Sequence, residues 1–450
     1  MADLTDRASN QHPTYMAQQL KRDVYCAVES GTDGVRAGAV TYLPQYPAET
    51  SDEYRERKSR ATIDGIVKGG VDTLCGSVFE GEVDTSKVNA QIIPLLENID
   101  NKGNSFNIFA RDTFRESFDG FSLILVDMPN GGADAERLRQ IYGGEADTML
   151  NARPYLNLYC ASNVINWRFA VNPVSKKQEL VLLVLKEVSE EPDGRFKVAN
   201  VTRYRVFEWD GQIVKWELWR ETKAATNNQA AELTLDDGGA IEKVKGIPVA
   251  FCGDVCDDPK LLVESRLEIK AYQKESSFDE IEYLSVPTFY TIGYEGEEKL
   301  KLGARGYIKI PNPGQGGKAE VGYCQIDSAG HDSLKGTIRE IKDTIKARVN
   351  YLVESASVQQ GPDKTATQVV SEDEDQKARL VVWADELKDC LETALMYMGQ
   401  FMGLGDDMGG EIVLKTKWAI AAEKAQQQAD MNTKSQEANI KKTMADAQGA

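Results

Sequence analysis

Histidine is nearly absent from this 450-residue chain, occurring only as His12 and His331. Ser-His-Asp, Cys-His and multi-histidine metal mechanisms all need an imidazole at a fixed place, so the scarcity argues against ordinary enzymology. Cysteine is sparse as well, with seven residues at 26, 75, 160, 252, 256, 324 and 390. An odd, scattered set reads as free thiols in a reducing cytosol rather than a disulfide framework. The one close pair, "CGDVC", lacks the second pair or histidines that zinc requires and is read as structural. Long apolar runs are missing: the longest piece, "LVLLVL" from Leu180 to Leu185, falls far short of the roughly 18 residues that span a bilayer. The opening "MADLTDRASNQ" has no basic-then-apolar layout of a signal peptide. A basic surplus is also missing, since 53 Lys and Arg stand against 71 Asp and Glu, a net charge of −18. Such a chain does not hold nucleic acid through its bulk field, so any contact with DNA must be local or weak.

What is present suits a folded protein of about three domains, with 41% hydrophobic residues to build a core. The first 150 residues read as helices with short connections. "ETSDEYRERKSRATIDGIVKGGVDTLCGSVF" opens with a capping box, Thr50 three before Glu53, and continues with Ile63, Ile66, Val67, Val71, Leu74 and Val78 at helical spacing. One long amphipathic helix ending near Phe79 is expected. A second helix is expected over "NSFNIFARDTFRESFDG", with Phe106, Phe109, Ala110 and Phe114 on one side and a stop at Gly120, and "FSLILVDMP" reads as a buried strand.

From about Tyr155 to Cys252 the period changes to two. "RYRVFEWDGQIVKWELWRE" predicts a hairpin with a type I′ turn at Asp210-Gly211, and "ELVLLVLKEV" and "RFKVANVTRY" predict further antiparallel strands. Trp209, Trp216 and Trp219 fit a base-stacking platform or sheet packing, and packing is preferred. Helix returns from Leu261 to Leu284 with Val263, Leu267, Ala271, Phe278 and Ile281 as its stripe. A Gly-rich β-like insert follows. Its "NPGQGGKAE" departs from a phosphate loop, with Asn312 for the first glycine and Ala319 for the metal-binding Ser or Thr.

"HDSLKGTIREIKDTIKARVNYLVES" is the most informative stretch. At 100° per residue, Leu334, Ile338, Ile341, Ile345, Val349 and Leu352 form an apolar stripe. Lys335, Arg339, Lys342 and Lys346 form a basic sector beside it, and Asp332, Glu340, Asp343 and Glu354 an acidic sector beyond. That pattern suits a helix packed on its own core with solvated flanks, or a helix in a ring whose basic flank meets a neighbour's acidic flank or a passing polyanion. Next comes a polar loop, "SVQQGPDKTATQ", from Ser357 to Gln368, and then a helix with Leu380, Ala384, Leu387, Leu391, Leu395 and Met398 as its stripe, about 45 Å long. Past Gly410 a short apolar piece leads into a Gln/Ala/Lys-rich segment with little to bury. The overall expectation is an α+β fold.

Several motifs, in this order, resemble those of tailed-bacteriophage portal proteins. They are "YLPQYPAETSDEYRERKSRA" with Tyr42, Leu43, Pro44, Tyr54 and Arg57, then "CGSVFEGEV", "ENIDNKGNSFNIFA" with Asp100 and Gly103, "DGFSLILVDMP" and "DKTATQ". The resemblance runs from about Tyr42 to Phe401, with Gln368 where the family often has Glu. It implies a ring of about twelve subunits at one capsid vertex, the channel through which DNA is packaged and ejected. It also implies a division into a helical wing part (1–150), a β-rich wing part (151–258), a first stem helix (259–286), a clip (287–330), a second stem helix (331–355), a tunnel loop (356–368), a long wing helix (369–406) and a crown or tail (407–450). The implied site residues are Gln359, Gln360, Lys364, Thr365 and Thr367 in the tunnel loop and Lys335, Arg339, Lys342 and Lys346 on the stem. Such polar groups bind phosphate without reading bases. A ring of such chains carries on the order of two hundred net negative charges, which repel DNA along the lumen and let it slide. The implied partners are further copies of the chain, the large terminase, head-tail adaptor and tail proteins, the major capsid and scaffolding proteins, and double-stranded DNA. No cofactor, metal, membrane or catalysis is implied, and the expected location is the virion, after synthesis in the bacterial cytoplasm. Two other readings stand beside it: a monomeric interaction scaffold, and a carboxylate- or metal-dependent hydrolase using a pair such as Asp100 and Asp127.

Overall fold

The structure, a computed structural model, describes residues 7–129, 141, 153–173, 176–222, 232–284, 288–292, 320–324, 328–358, 379–424, 427–428 and 431. Helix α1 (Pro13–Glu29) starts at His12, whose Nδ1 accepts the Thr14 N–H at 3.1 Å while its ring stacks on Trp167 at 4.3 Å. One of the two histidines thus serves capping and packing. After α2 (Thr32–Ala37), the capping box forms as its sequence predicts: Thr50 accepts from the Glu53 N–H at 3.3 Å and Glu53 accepts from the Thr50 N–H at 2.8 Å. The helix it opens is shorter than expected. α3 (Ser51–Arg60) stops, residues 61–64 are non-helical, Gly65 turns in the left-handed region at φ 73°, and α4 (Ile66–Val78) begins anew. The apolar residues keep helical spacing across the break, but Ala61 and Ile63 are buried from this non-helical segment instead.

Strand β1 (Asp84–Val88), helix α5 (Phe106–Glu116) and strand β2 (Ser122–Asp127) follow. β2 is buried almost throughout because it is the centre of a three-stranded antiparallel sheet between β3 (Tyr155–Cys160) and a later strand, β9 (Val249–Cys252). The turn into β2 needs Gly120, at φ 112°, where a Cβ would meet the Asp257 carbonyl oxygen at 2.8 Å. In turn, a Cβ on Gly253 would lie 2.9 Å from the Gly120 oxygen. "CGDVC" is therefore a close backbone crossing, with Cys252 buried and Cys256 exposed.

Between β3 and β9, the chain forms a five-stranded meander of β4 (Val164–Val171), β5 (Gln178–Pro192), β6 (Val198–Trp209), β7 (Val214–Thr222) and β8 (Glu232–Ile241), each antiparallel to the next. The Asp210-Gly211 hairpin joins β6 to β7 in a different turn from the one expected. Only Gly211 has positive φ, at 96°, whereas type I′ needs both central residues there. Asp210 keeps normal φ and its carboxylate accepts the Gln212 and Ile213 N–H groups, both at 2.9 Å. Trp209, Trp216 and Trp219 of this sheet pack half-buried against the core, with Trp209 donating to Glu179 and Trp219 to Glu217.

The C-terminal part is helical: α6 (Leu262–Leu284), a ribbon of β10 (Thr288–Ile292) and β11 (Glu320–Cys324), α7 (Ser328–Val358), α8 (Arg379–Phe401), and β12 (Gly410–Val413), which pairs with β1. On α8 the whole predicted stripe, Leu380, Ala384, Leu387, Leu391, Leu395 and Met398, is buried. An aromatic chain links it to the N-terminal helices, Phe79 to Phe114 to Phe118 to Trp383, with ring centroids 6.2, 5.4 and 5.8 Å apart. The fold is α+β, with one contiguous core under both the helices and the sheets.

Candidate functional site

Helices α6 and α7 lie antiparallel, as the partners across them show. Glu264 accepts from Arg348 at 2.5 Å, Glu275 pairs with Lys342, and Phe278 meets His331 at 5.5 Å between ring centroids. Rising numbers on α6 thus meet falling numbers on α7. The apolar stripe of α7 packs inward as its spacing predicts, with Ile338, Ile341, Ile345 and Val349 buried. α6 buries its expected stripe only in part. Ala271 is buried and Leu267, Phe278 and Ile281 are half-buried, but Val263 is 48% exposed, and Leu262, Glu264, Ser265, Glu268, Ile269, Tyr272 and Ser276 are buried as well. The face is rotated because its polar residues each have a partner inside.

Glu268 is the clearest of these. Its two carboxylate oxygens accept the Ile66 and Val67 N–H groups, each at 2.7 Å, capping α4 at the end that the break leaves bare. Burial raises the pKa of Glu268, and the backbone N–H groups pull against that rise. Ser276 sits under Arg57, which belongs to the Tyr42–Ala61 motif. Arg57 donates to Glu49 through Nε at 2.6 Å and Nη2 at 2.8 Å, and to the Pro44 carbonyl at 2.8 Å, with its guanidinium 4.2 Å from the Tyr46 ring centroid. Gln273 donates to the Tyr42 carbonyl at 2.9 Å, and the Tyr46 and Ser277 hydroxyls are 2.5 Å apart. The motif therefore wraps and braces the far half of α6.

The four cations predicted on α7 divide in two. Lys342 is inward, bridging Asp64 at 2.6 Å and Glu275. Burial works against its charge, but hydrogen bonds to the two carboxylates outweigh it and hold its pKa above the ordinary value. Lys335, Arg339 and Lys346 are exposed, and only Arg339 has an ion-pair partner among the described residues, Asp343 at 3.7 Å. A solvated pair of that kind contributes little and leaves the cation available. The acidic sector, Asp332, Glu340, Asp343 and Glu354, is exposed throughout. Between the basic residues and an opposing wall of Asp64, Glu275 and Asp279 runs a cleft of about 650 Å³. The outer surface of α7 is thus a charge-segregated face with three exposed cations, one of them in a solvated ion pair, held on a helix pair that the core clamps from behind.

Gln359, Gln360, Lys364, Thr365 and Thr367 lie outside the described residues, as do Asn312, Ala319 and the Gln-rich tail beyond 431. Asp100 and Asp127 are each committed locally. Asp100 accepts from the Lys102 and Asn104 N–H groups at 2.8 and 3.2 Å, and Asp127 accepts from Tyr155 at 3.3 Å and Arg205 at 3.1 Å. Among the described residues no group of three or more His, Cys, Asp or Glu side chains could hold a metal ion, and no helix is long and apolar enough to cross a membrane.

The class that this geometry defines is an α+β protein presenting a braced, charge-segregated helix pair. Residues 263–402, which contain both helices of the pair and α8, match a family described as a domain of unknown function, DUF4055. No curated protein matches the chain.

Proposed function

We propose that this chain is a phage portal subunit, assembling with copies of itself into a ring at one capsid vertex through which DNA is packaged and ejected. The observation that carries the reading is the arrangement of α6 and α7: two antiparallel helices joined through the β10–β11 ribbon, packed on the core along one side and showing separated basic and acidic flanks along the other. In a ring, α6 and α7 form the stem, residues 287–330 the clip that docks terminase and then the tail adaptor, and 356–368 the tunnel loop. Lys335, Arg339 and Lys346 face either the lumen or the acidic flank of the next stem, where sequence-independent contact with phosphate or carboxylate is all that their chemistry supplies. The net charge of −18 per chain keeps most of the lumen repulsive to DNA.

The test is the mass of the purified protein by light scattering, with negative-stain images of the same fraction. Rings with a central hole are expected. In rings of the triple variant K335E/R339E/K346E, DNA packaging is expected to fall. A well-folded monomer at every concentration, which capsid and scaffolding proteins also fail to assemble, overturns the reading in favour of a monomeric scaffold.

A further inference from the structure

The longest strands of the meander continue past their neighbours. β4 reaches β5 only as far as the Val164 to Leu185 pair, and the last β6 to β7 pair is Arg203 with Arg220. The pairs Val188–Thr202, Ser189–Val201, Glu190–Asn200, Glu191–Ala199 and Pro192–Val198 therefore form a two-stranded ribbon with no strand on either side among the described residues. Residues directly opposite share a face, so the two faces can be assigned. Ser189, Glu191, Ala199 and Val201 lie on the half-buried face, where Arg203 and Arg220 both pair with Glu191. On the other face, Val188 is 59% and Val198 65% exposed, with Pro192 exposed between them, and at the tip Phe196 is 87% exposed beneath the Arg195 guanidinium, 4.8 Å from its ring centroid. A projecting aromatic residue held by a salt-bridged ribbon and flanked by Arg195 and Lys197 is an unfilled contact.

The same hairpin carries a complementary feature at its other end. A cleft of about 600 Å³ is lined by Phe169, Leu180, Trp209, Phe251 and Tyr397, with Glu179 and the Asp406-paired Lys245 in its wall, and Gly211 and Gln212 bring to its edge the turn that carries Asp210. We propose that Phe196 of one copy inserts into this aromatic cleft of the next copy, with Arg195 and Lys197 set against Glu179 and Asp210. The contact cannot close within one chain. From Leu180 to Pro192 the strand spans about 40 Å, so knob and hole lie at opposite ends of one stiff ribbon. A knob and a hole that far apart on one subunit permit a head-to-tail contact, and repeated head-to-tail contacts generate rings or filaments, whereas the same two contacts made reciprocally would stop at two copies, which the mass of the assembled fraction distinguishes. The inference rests on the ring reading and deepens it by naming the side chains that join neighbours.

The experiment places p-benzoylphenylalanine at position 196 of the full chain, illuminates the assembled fraction, and maps the adducts by mass spectrometry. Adducts between copies, at peptides carrying Phe169, Trp209 or Tyr397, are expected. F196D, at an exposed site that folding does not depend on, is expected to raise the concentration needed for assembly by roughly tenfold or more. The charge reversal R195E is expected to weaken assembly and to be partly rescued by E179K. Rings that form with no such adduct, or with adducts elsewhere on the chain or on another virion protein, overturn this contact and leave the ring standing. Failure to assemble under any condition overturns both.

Discussion

Arg57 offers the sharpest test of how helix α6 is braced. Its side chain is 2% exposed and that of its partner Glu49 8% exposed, and two parallel hydrogen bonds of 2.6 and 2.8 Å join them. Substituting Arg57 by Met removes the cation and strands a buried carboxylate, a loss of about 3–5 kcal/mol. R57K keeps the charge but not the planar fork, and should lose about 2 kcal/mol. The double variant R57M/E49M replaces both partners with apolar groups and should cost less than R57M alone, the signature of a buried pair rather than a surface one. Urea midpoints followed by tryptophan fluorescence give the magnitudes. Hydrogen exchange over α3 and the second half of α6 shows whether the loss falls on the brace. The Arg57 hydrogen bonds hold the Glu49 carboxyl below its ordinary pKa, against the effect of burial. A depressed carboxylate stabilises the fold above its unfolded pKa, so the wild-type advantage over R57M should shrink as pH falls below about 4. A loss under about 1 kcal/mol, equal to that of R55A at the solvated Arg55–Asp52 pair, would refute the bracing role.

E268Q leaves one amide oxygen where two acceptors meet the Ile66 and Val67 N–H groups, so a loss of about 1–3 kcal/mol and faster exchange at the start of α4 are expected. K342M should cost about 1–3 kcal/mol because it strands Asp64 and Glu275, while K346M should stay within about 0.5 kcal/mol, both read as unfolding midpoints. Burial raises the Asp119 carboxyl to about 6, with Arg22 pulling it back. A raised carboxyl contributes most below its unfolded pKa, and that contribution is lost as pH rises through about 6. Measured from pH 4 to 7, the stability of the wild type should therefore fall relative to that of D119N, by roughly 3 kcal/mol at most.

Where a local rule was sufficient, the sequence could be read directly. The Thr50–Glu53 capping box, the buried strand over Ser122–Asp127, the meander and the stripes of α7 and α8 all follow from short-range pattern and period. Long-range partners decided the rest. The expected helix from Thr50 to Phe79 breaks where a carboxylate some two hundred positions away caps its second half, and the spacing of Ile63 and Ile66 carries no trace of Glu268. α6 buries Glu264, Glu268 and Ser276 because Arg348, the α4 N-terminus and Arg57 meet them, while Ser265 donates back to the Leu261 carbonyl, so a hydrophobicity stripe pointed to Val263 instead. Lys342 lies beside Lys346 on a helical wheel, and the approach of Asp64 and Glu275 is what separates them.

The same distinction bears on what the motifs mean. Tyr42, Leu43, Pro44, Tyr54 and Arg57 look like a binding constellation in one dimension, with aromatic rings around a cation. In three dimensions Tyr54 donates to the Leu43 carbonyl at 2.9 Å, Tyr42 and Pro44 offer carbonyls to α6 and to Arg57, and Arg57 spends its donors inside the protein. Their work is to hold a helix at a set angle. Gly120 and Gly253 do the same for the crossing of β2 and β9. The sequence signature is therefore architectural, and among the described residues the exposed groups that this architecture does not use include three cations on α7, one aromatic tip and one aromatic cleft. A molecule whose ordered polar chemistry is spent on rigidity leaves charge and shape as its spare chemistry, and those are the properties on which the proposed ring assembly depends.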